Sequence, residues 1–131
     1  GFIGHSYIGE WVNIGAGTNN SNLKNNYSNV KFDFGKKTID SKKIFLGTMI
    51  GDFSRISIST SINTGTYIGV GANIFNHSFN KKYVASFSWG NIEKVDFDKF
   101  IKTCNLALQR RDYQLHDSEI KLLNYLYKKM I

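Results

Sequence analysis

Residues 44–79 read IFLGTM IGDFSR ISISTS INTGTY IGVGAN IFNHSF, and isoleucine opens every sixth place, at Ile44, Ile50, Ile56, Ile62, Ile68 and Ile74. Four places after each stand Thr48, Ser54, Thr60, Thr66, Ala72 and Ser78, so the second anchor of every hexad is small. An α-helix repeats every 3.6 residues and a lone strand every two, so neither explains this spacing. A fixed period marks a stacked-repeat architecture, in which each unit buries its apolar face against the next. The pattern is that of a hexapeptide β-helix, in which three flat faces, one hexad each, make one triangular circuit. The isoleucines point into the prism, and the small residue sits inside near a corner that a larger side chain would not fit. Six hexads make two circuits.

Outward from this core, Phe2, Ile8 and Ile14 keep the same register, with Ser6, Val12 and Thr18 at the fourth following place, and add a third circuit. Glycine follows the aliphatic at Gly9, Gly15, Gly51 and Gly69, where a tight turn with positive φ is expected. Residues 20–43 break the register and are expected to leave a corner of the prism as an external loop or hairpin. Long insertions of this kind are often functional. After residue 80 a helical period takes over: Phe97, Phe100, Ile101, Cys104 and Leu108 share one face, with Asp96 or Asp98 placed to cap its start. A second helix is expected from about Asp117, its cap, with Ile120, Leu123, Tyr127 and Met130 as the buried stripe. The expected organisation is therefore mainly β: a β-helix over 1–90 with the external loop at about 20–43, then a two-helix tail over 91–131. The tail is expected to cover an open end of the prism or a neighbouring subunit.

At 131 residues the chain has the length of one domain, and no stretch approaches the roughly 18–20 apolar residues of a membrane span. It starts at Gly1 without a signal peptide and reads as a fragment. Three arginines stand against fourteen lysines, with fourteen asparagines, fifteen isoleucines and no proline, a drift toward AT-rich codons. The net charge of +7 is accordingly not read as a nucleic-acid surface, although attraction for phosphorylated small molecules remains. Cys104, the single cysteine, cannot form an internal disulfide; it reads as core packing in a reduced, cytoplasmic setting. One cysteine and three scattered histidines do not supply a four-ligand metal set, so no metal is expected. His77 and His116 read as surface or capping residues. There is no lysine-bearing glycine-rich loop from which nucleotide transfer could be argued.

The informative segment is GHSYIGEWVNIGAGTNNSNLKNNYSNVKF, residues 4–32. It carries Gly4-His5, Tyr7-Ile8-Gly9-Glu10, Asn13-Ile14-Gly15-Ala16-Gly17-Thr18, and Asn22 followed by Lys24 and Lys31. These motifs, in this order, resemble the sugar-1-phosphate nucleotidylyltransferases that carry a left-handed parallel β-helical acetyltransferase half. Leu46-Gly47, Ile50-Gly51-Asp52 and Ser86-Phe87-Ser88-Trp89-Gly90 extend the likeness over nearly the whole chain and resemble the variant found in Bacteroidetes-type bacteria. The segment between His5 and Asn13 is about one hexad shorter than in the best-known bifunctional enzymes, and Leu23 stands where those have tyrosine. Both departures leave the acceptor sugar open.

The resemblance implies acetyl transfer from acetyl-CoA to the amine of glucosamine 1-phosphate, with a nucleotidylyltransferase domain upstream. An ammonium group must lose a proton before it attacks a thioester, and histidine, with an unperturbed pKa of about 6.5, suits that task. His5 is the candidate base, facing outward. Tyr7 and Asn13, one face apart, are expected to project toward a shared groove and hold the sugar phosphate, as corresponding family positions do. Asn22, with Lys31 or Lys24, is expected to bind hydroxyls and phosphate from the external loop. Ala16 and Gly17 leave room for the pantetheine arm of acetyl-CoA. Asn13, Ala16 and Gly17 also satisfy the repeat by themselves. The flat faces and the resemblance together imply a homotrimer, with the acetyl-CoA groove where two prisms meet. Two readings stand at this point: a catalytic acetyltransferase half, or a non-catalytic trimerisation and regulatory module of a sugar nucleotidylyltransferase.

Overall fold

The computed structural model describes residues 1–75, 81–90 and 93–129; His77, Ser78 and Met130, to which the repeat and helix patterns give places, lie outside them. In chain order the elements are β1 (Tyr7–Ile8), β2 (Asn13–Ile14), β3 (Asn19–Asn20), β4 (Lys31–Asp33), β5 (Thr38–Asp40), β6 (Thr48–Ile50), β7 (Arg55–Ile56), β8 (Ser61–Ile62), β9 (Thr66–Ile68), β10 (Asn73–Ile74), β11 (Tyr83–Val84), β12 (Ser88–Trp89), β13 (Glu93–Lys94), α1 (Phe97–Gln109) and α2 (Asp117–Lys129). The short strands stack into ladders: β1-β6-β9-β11, then β2-β7-β10-β12 with β13 antiparallel at its edge, and β3-β8. Strands β4 and β5 form a separate antiparallel hairpin. The chain visits first, second and third ladder in turn, and parallel partners such as Thr48 with Thr66 or Arg55 with Asn73 stand 18 residues apart. This mainly β succession is consistent with a β-helix.

Isoleucines 50, 56, 62, 68 and 74, with Ala72 and Val84, form one buried cluster along the stack. Each isoleucine contributes about 1.5–3 kcal/mol by leaving water. The small anchors are buried too, and they do more than fit the corners. The hydroxyls of Thr48, Ser54, Thr60 and Thr66 donate to the carbonyls of Thr66, Gly69, Ser57 and Asn63 at 2.6–2.8 Å. Buried carbonyls at the corners are thereby satisfied, which explains Thr and Ser rather than Ala at these places.

The structure corrects the repeat in four places. Ile44 is exposed, because residues 44–46 belong to the stem of the insertion: Leu23 bridges Phe45, and Leu46 N–H donates to Asn22 O at 3.0 Å. The rung opposite Ile62 is instead Asn20, so the insertion starts after β3, at Ser21. Phe2 pairs with Asn19 on the third ladder and is half exposed, so it precedes the circuit of Ile8 and Ile14 instead of sharing it. Gly9, Gly15, Gly51 and Gly69 do not adopt positive φ; that conformation falls at His5, Trp11, Gly17, Phe53, Ser59, Gly65 and Gly71, three residues before the anchors at 8, 14, 20, 56, 62, 68 and 74. Glycine after the aliphatic serves close stacking: a Cβ on Gly51 would come within 2.6 Å of Val70 N on the next circuit. Finally, the register resumes after residue 80, with Val84 opposite Ile68 and Trp89 opposite Asn73.

The helices lie against the side of the stack, along one corner. Trp11, Phe53, Val70 and Phe87 from successive circuits meet Phe97, Phe100, Cys104, Leu108, Leu123 and Tyr127 in a second apolar cluster. Asp96 caps α1, accepting from Lys99 N–H at 3.0 Å. At the start of α2 it is His116 that precedes the first turn, and Glu119 reaches back to accept from its N–H at 3.0 Å, as in a capping box.

Candidate functional site

His5 stands at a corner of the first circuit, on backbone in the left-handed region. Since the same conformation recurs at most corners, it is the repeat that turns the chain here, not strain peculiar to the histidine. The segment is clamped from inside the stack. Asn20 occupies an anchor place where its neighbours carry isoleucine, and it is 5% exposed. Its Oδ1 accepts from Gly4 N–H at 2.7 Å, while its Nδ2 donates to Gly4 O at 3.0 Å and Ser21 O at 3.1 Å. Ser6 joins this cluster: its hydroxyl donates to Gly4 O at 2.8 Å and accepts from Thr48 N–H at 3.0 Å. Gly47 permits the crowding, because a Cβ there would collide with Asn20, Gly4 and Ser6 at once.

Outside, the ring of His5 is held by two groups of the insertion stem. Asn22 Nδ2 lies 2.9 Å from Nδ1, and Phe45 packs at 5.6 Å between ring centroids. The two ends of the amide have opposite effects. With Nδ2 facing the ring, Nδ1 accepts and the neutral ring carries its proton on Nε2; with Oδ1 facing it, Nδ1–H donates and the Nε2 lone pair is free.

The other candidate residues are dispersed around this pair. Tyr7 is exposed on the first ladder opposite Met49, and Asn13 is exposed on the second opposite Arg55, so the two occupy different faces of this chain. Ala16 and Gly17 are exposed at the corner after β2, with Gly17 at φ +77 and Ala16 O accepting from Ser59 N–H at 2.8 Å. Lys31 is exposed on β4, opposite Asp40. Lys24 lines a hollow of about 350 Å³ with Ser21, Asn63, Thr64 and Lys82. Burial, and then the charge of Lys24, hold the Lys82 ammonium below its ordinary pKa. The period does not mark Lys82 or Phe45; Asn20 falls on it, six after Ile14, but as a polar residue does not read as an anchor.

Cys104 is buried in the helix-side cluster, and burial pushes its thiol up to about 12, against smaller lowering effects from Arg55 and a backbone hydrogen bond. A thiol so held is packing material, not a nucleophile. Among the described residues no three His, Cys, Asp or Glu side chains gather as a metal site, and no helix is long and apolar enough to cross a membrane.

A stack of short parallel strands with an exposed His-Asn pair at one corner is the class of molecule that emerges from this geometry. No family model matches the chain. Seventy-four residues, 56% of the chain, are 39% identical to the bifunctional sugar-1-phosphate nucleotidylyltransferase/acetyltransferase of Sulfurisphaera tokodaii. The match covers 18% of that protein, so the chain spans under a fifth of the relative's length. This partial similarity supports that transferase family and no finer assignment.

Proposed function

We propose that the chain is a left-handed parallel β-helix acetyltransferase, with 1–90 as the β-helical unit, 91–131 as its helical tail, and acetyl-CoA and an amino-sugar 1-phosphate, glucosamine 1-phosphate, as substrates. It acts within a sugar-1-phosphate nucleotidylyltransferase of the Bacteroidetes-type variant, in the cytoplasm, as a homotrimer. The observation that carries this reading is the 2.9 Å pairing of His5 Nδ1 with the Asn22 amide. The base step requires the Asn22 amide flipped so that Oδ1, in place of Nδ2, faces Nδ1–H; Nε2 of His5 then takes a proton from the acceptor ammonium. The freed amine attacks the thioester carbonyl, the C–N bond forms, the C–S bond breaks, the second proton shed by the nitrogen goes to the departing coenzyme thiolate, and His5 releases its proton to solvent. Asn22 positions the base, while Tyr7 and Asn13 hold the sugar phosphate across the groove between two copies and Lys24 or Lys31 meets its charge. Ala16 and Gly17 leave the corner backbone open to the pantetheine arm. Exposed Phe75 and Trp89, packed together at 5.3 Å, supply apolar surface for a second copy to cover.

The test is release of free coenzyme A thiol from acetyl-CoA with glucosamine 1-phosphate, on trimeric protein beside its His5→Ala variant. Turnover that vanishes in a variant still trimeric supports the base and the reaction together. A well-formed trimer inactive toward this and other amino-sugar phosphates would sink the catalytic reading and leave a trimerisation and regulatory module.

A further inference from the structure

The chain has three arginines among seventeen basic residues, and all three converge on one groove. Arg55, Arg110 and Arg111 line a hollow of about 500 Å³ between the second ladder and α1, together with Trp11, Asn13 and Thr103. Arg55 sits mid-ladder, between Asn13 on one circuit and Asn73 on the next. Arg110 is the C-cap of α1, and Arg111 follows it. No carboxylate lines this groove; Glu93 and Asp96 line the neighbouring hollow, which shares Arg55 and Thr103 with it. Among the described residues no ion pair engages any of the three guanidinium groups.

A helix C-terminus attracts cations by its dipole, which would by itself account for Arg110 and Arg111. It does not account for Arg55, which lies on a strand and is half buried. Three unpaired guanidinium groups around one concave surface repel one another unless an anion joins them. Guanidinium favours phosphate because its fork donates two parallel hydrogen bonds, a geometry lysine lacks. The chain uses lysine almost everywhere else, so the chemistry of this groove is that of bidentate phosphate recognition and not of general positive charge. Thr103 adds a neutral hydrogen-bonding group, and Trp11 adds an aromatic wall.

We propose that the groove of Arg55, Arg110 and Arg111 binds the phosphate groups of a nucleotide, and that the nucleotide is the phosphorylated adenosine end of the acyl donor. The assignment of the donor rests on the acetyltransferase reading; the phosphate site does not.

Titration calorimetry with adenosine 3′,5′-bisphosphate tests it, using the whole chain beside Arg55→Gln, the double variant Arg110→Gln/Arg111→Gln, and Lys36→Gln/Lys37→Gln as a control on the exposed hairpin turn. Each arginine variant should weaken binding by about tenfold or more, while the lysine control changes it little. Arg110 and Arg111 are exposed, so the double variant remains informative even where Arg55→Gln fails to fold. Uridine diphosphate bound more tightly than the bisphosphate, with the same loss in the arginine variants, would keep the phosphate site but overturn the donor assignment in favour of a nucleotide-sugar end. Unchanged affinity in both arginine variants, or no binding of either nucleotide, would overturn the site. Neither result depends on turnover: a His5→Ala protein that binds the nucleotide but transfers no acetyl group separates the two proposals, as does an active protein that binds none.

Discussion

The circuit β1-β2-β3 and the circuit β6-β7-β8 lie directly against each other, rung on rung, yet they are built differently. Ile8 faces Ile50, Ile14 faces Ile56, and Asn20 faces Ile62. In the inner circuit all three anchors are at most 4% exposed. In the outer one Ile8 is 38% exposed, and the third anchor is an amide with backbone partners on both sides of the insertion's start. In the inner circuit β6 and β7 have strand neighbours on two sides, and the three anchors are held by burial while the small residues bond the corner carbonyls. The outer circuit has fewer and replaces part of that burial with directed hydrogen bonds, which fix Gly4 and so aim His5. A uniform ladder gives stability; the departure from uniformity coincides with the candidate base.

The largest effects should come from making the inner circuit polar. Ile56→Asp puts an unpaired carboxylate into the dry stack and should cost more than about 4 kcal/mol, enough to abolish cooperative unfolding in thermal melts followed by circular dichroism. A variant that melts within a few degrees of the parent would show that the isoleucine ladder is not the core. The converse change, Asn20→Leu, makes the outer circuit resemble the inner one. It leaves Gly4 N–H without its side-chain partner and Gly4 O with the Ser6 hydroxyl alone, and should destabilise by about 1–3 kcal/mol. Acetyl transfer should fall further than that loss of stability explains, since His5 would no longer be clamped from behind. A leucine variant as stable and as active as the parent would remove Asn20 from any positioning role.

This contrast also marks what was legible in the sequence. The dry ladder was, because Ile50 to Ile74 keep an uninterrupted period of six. Asn20 falls on that period too, six after Ile14, but a polar residue at an anchor reads as the end of the repeat, and Ile44 then offers a false continuation six before Ile50. Only the stem pairing of Leu23 with Phe45 shows that the chain is still outside the stack at that point. The candidate site was half legible. His5 and Asn22 are flagged by local motifs, but their contact depends on where the stem folds back, and Phe45 belongs to the far strand of that stem. The aromatic corner was hidden for a similar reason. Trp11, Phe53 and Phe87 stack in space while insertions separate them unevenly along the chain, so no single spacing reveals the surface on which α1 and α2 rest.

That corner sets up a smaller test. Gly71 takes the place that Trp11, Phe53 and Phe87 hold on the other circuits, with φ +65, and a Cβ there would lie 2.9 Å from the ring of Phe100. Phe100 of α1 fills the gap left by the missing side chain, meeting Phe53 at 6.2 Å and Phe87 at 5.3 Å, both edge to face. Gly71→Ala should cost about 1–3 kcal/mol by combining an unfavourable φ with displacement of that ring. The helical tail should become more sensitive to limited proteolysis while the strand signal persists. Equal protease resistance in the variant and the parent would show that α1 does not depend on this gap.

The smallest expected effect comes from Cys104, on the same helix face and 1% exposed. Its thiol is raised from 9.0 to about 12 by burial, so between those values the unfolded chain gives up its proton while the folded chain keeps it. The folded state then binds more protons than the unfolded state, and stability must fall as pH rises through that window; below pH 9 both states hold the proton and the group contributes no pH dependence. Denaturant melts of the parent and of Cys104→Ala should therefore run parallel below pH 9 and converge or cross above it, where only the parent has this added loss. A thiol reagent at pH 8 should label the native chain slowly and the denatured chain at once. Rapid labelling of the native chain, with no loss of its circular dichroism, would mean that α1 opens readily from the aromatic corner, and that the helical side of the molecule lacks the permanence of the isoleucine ladder.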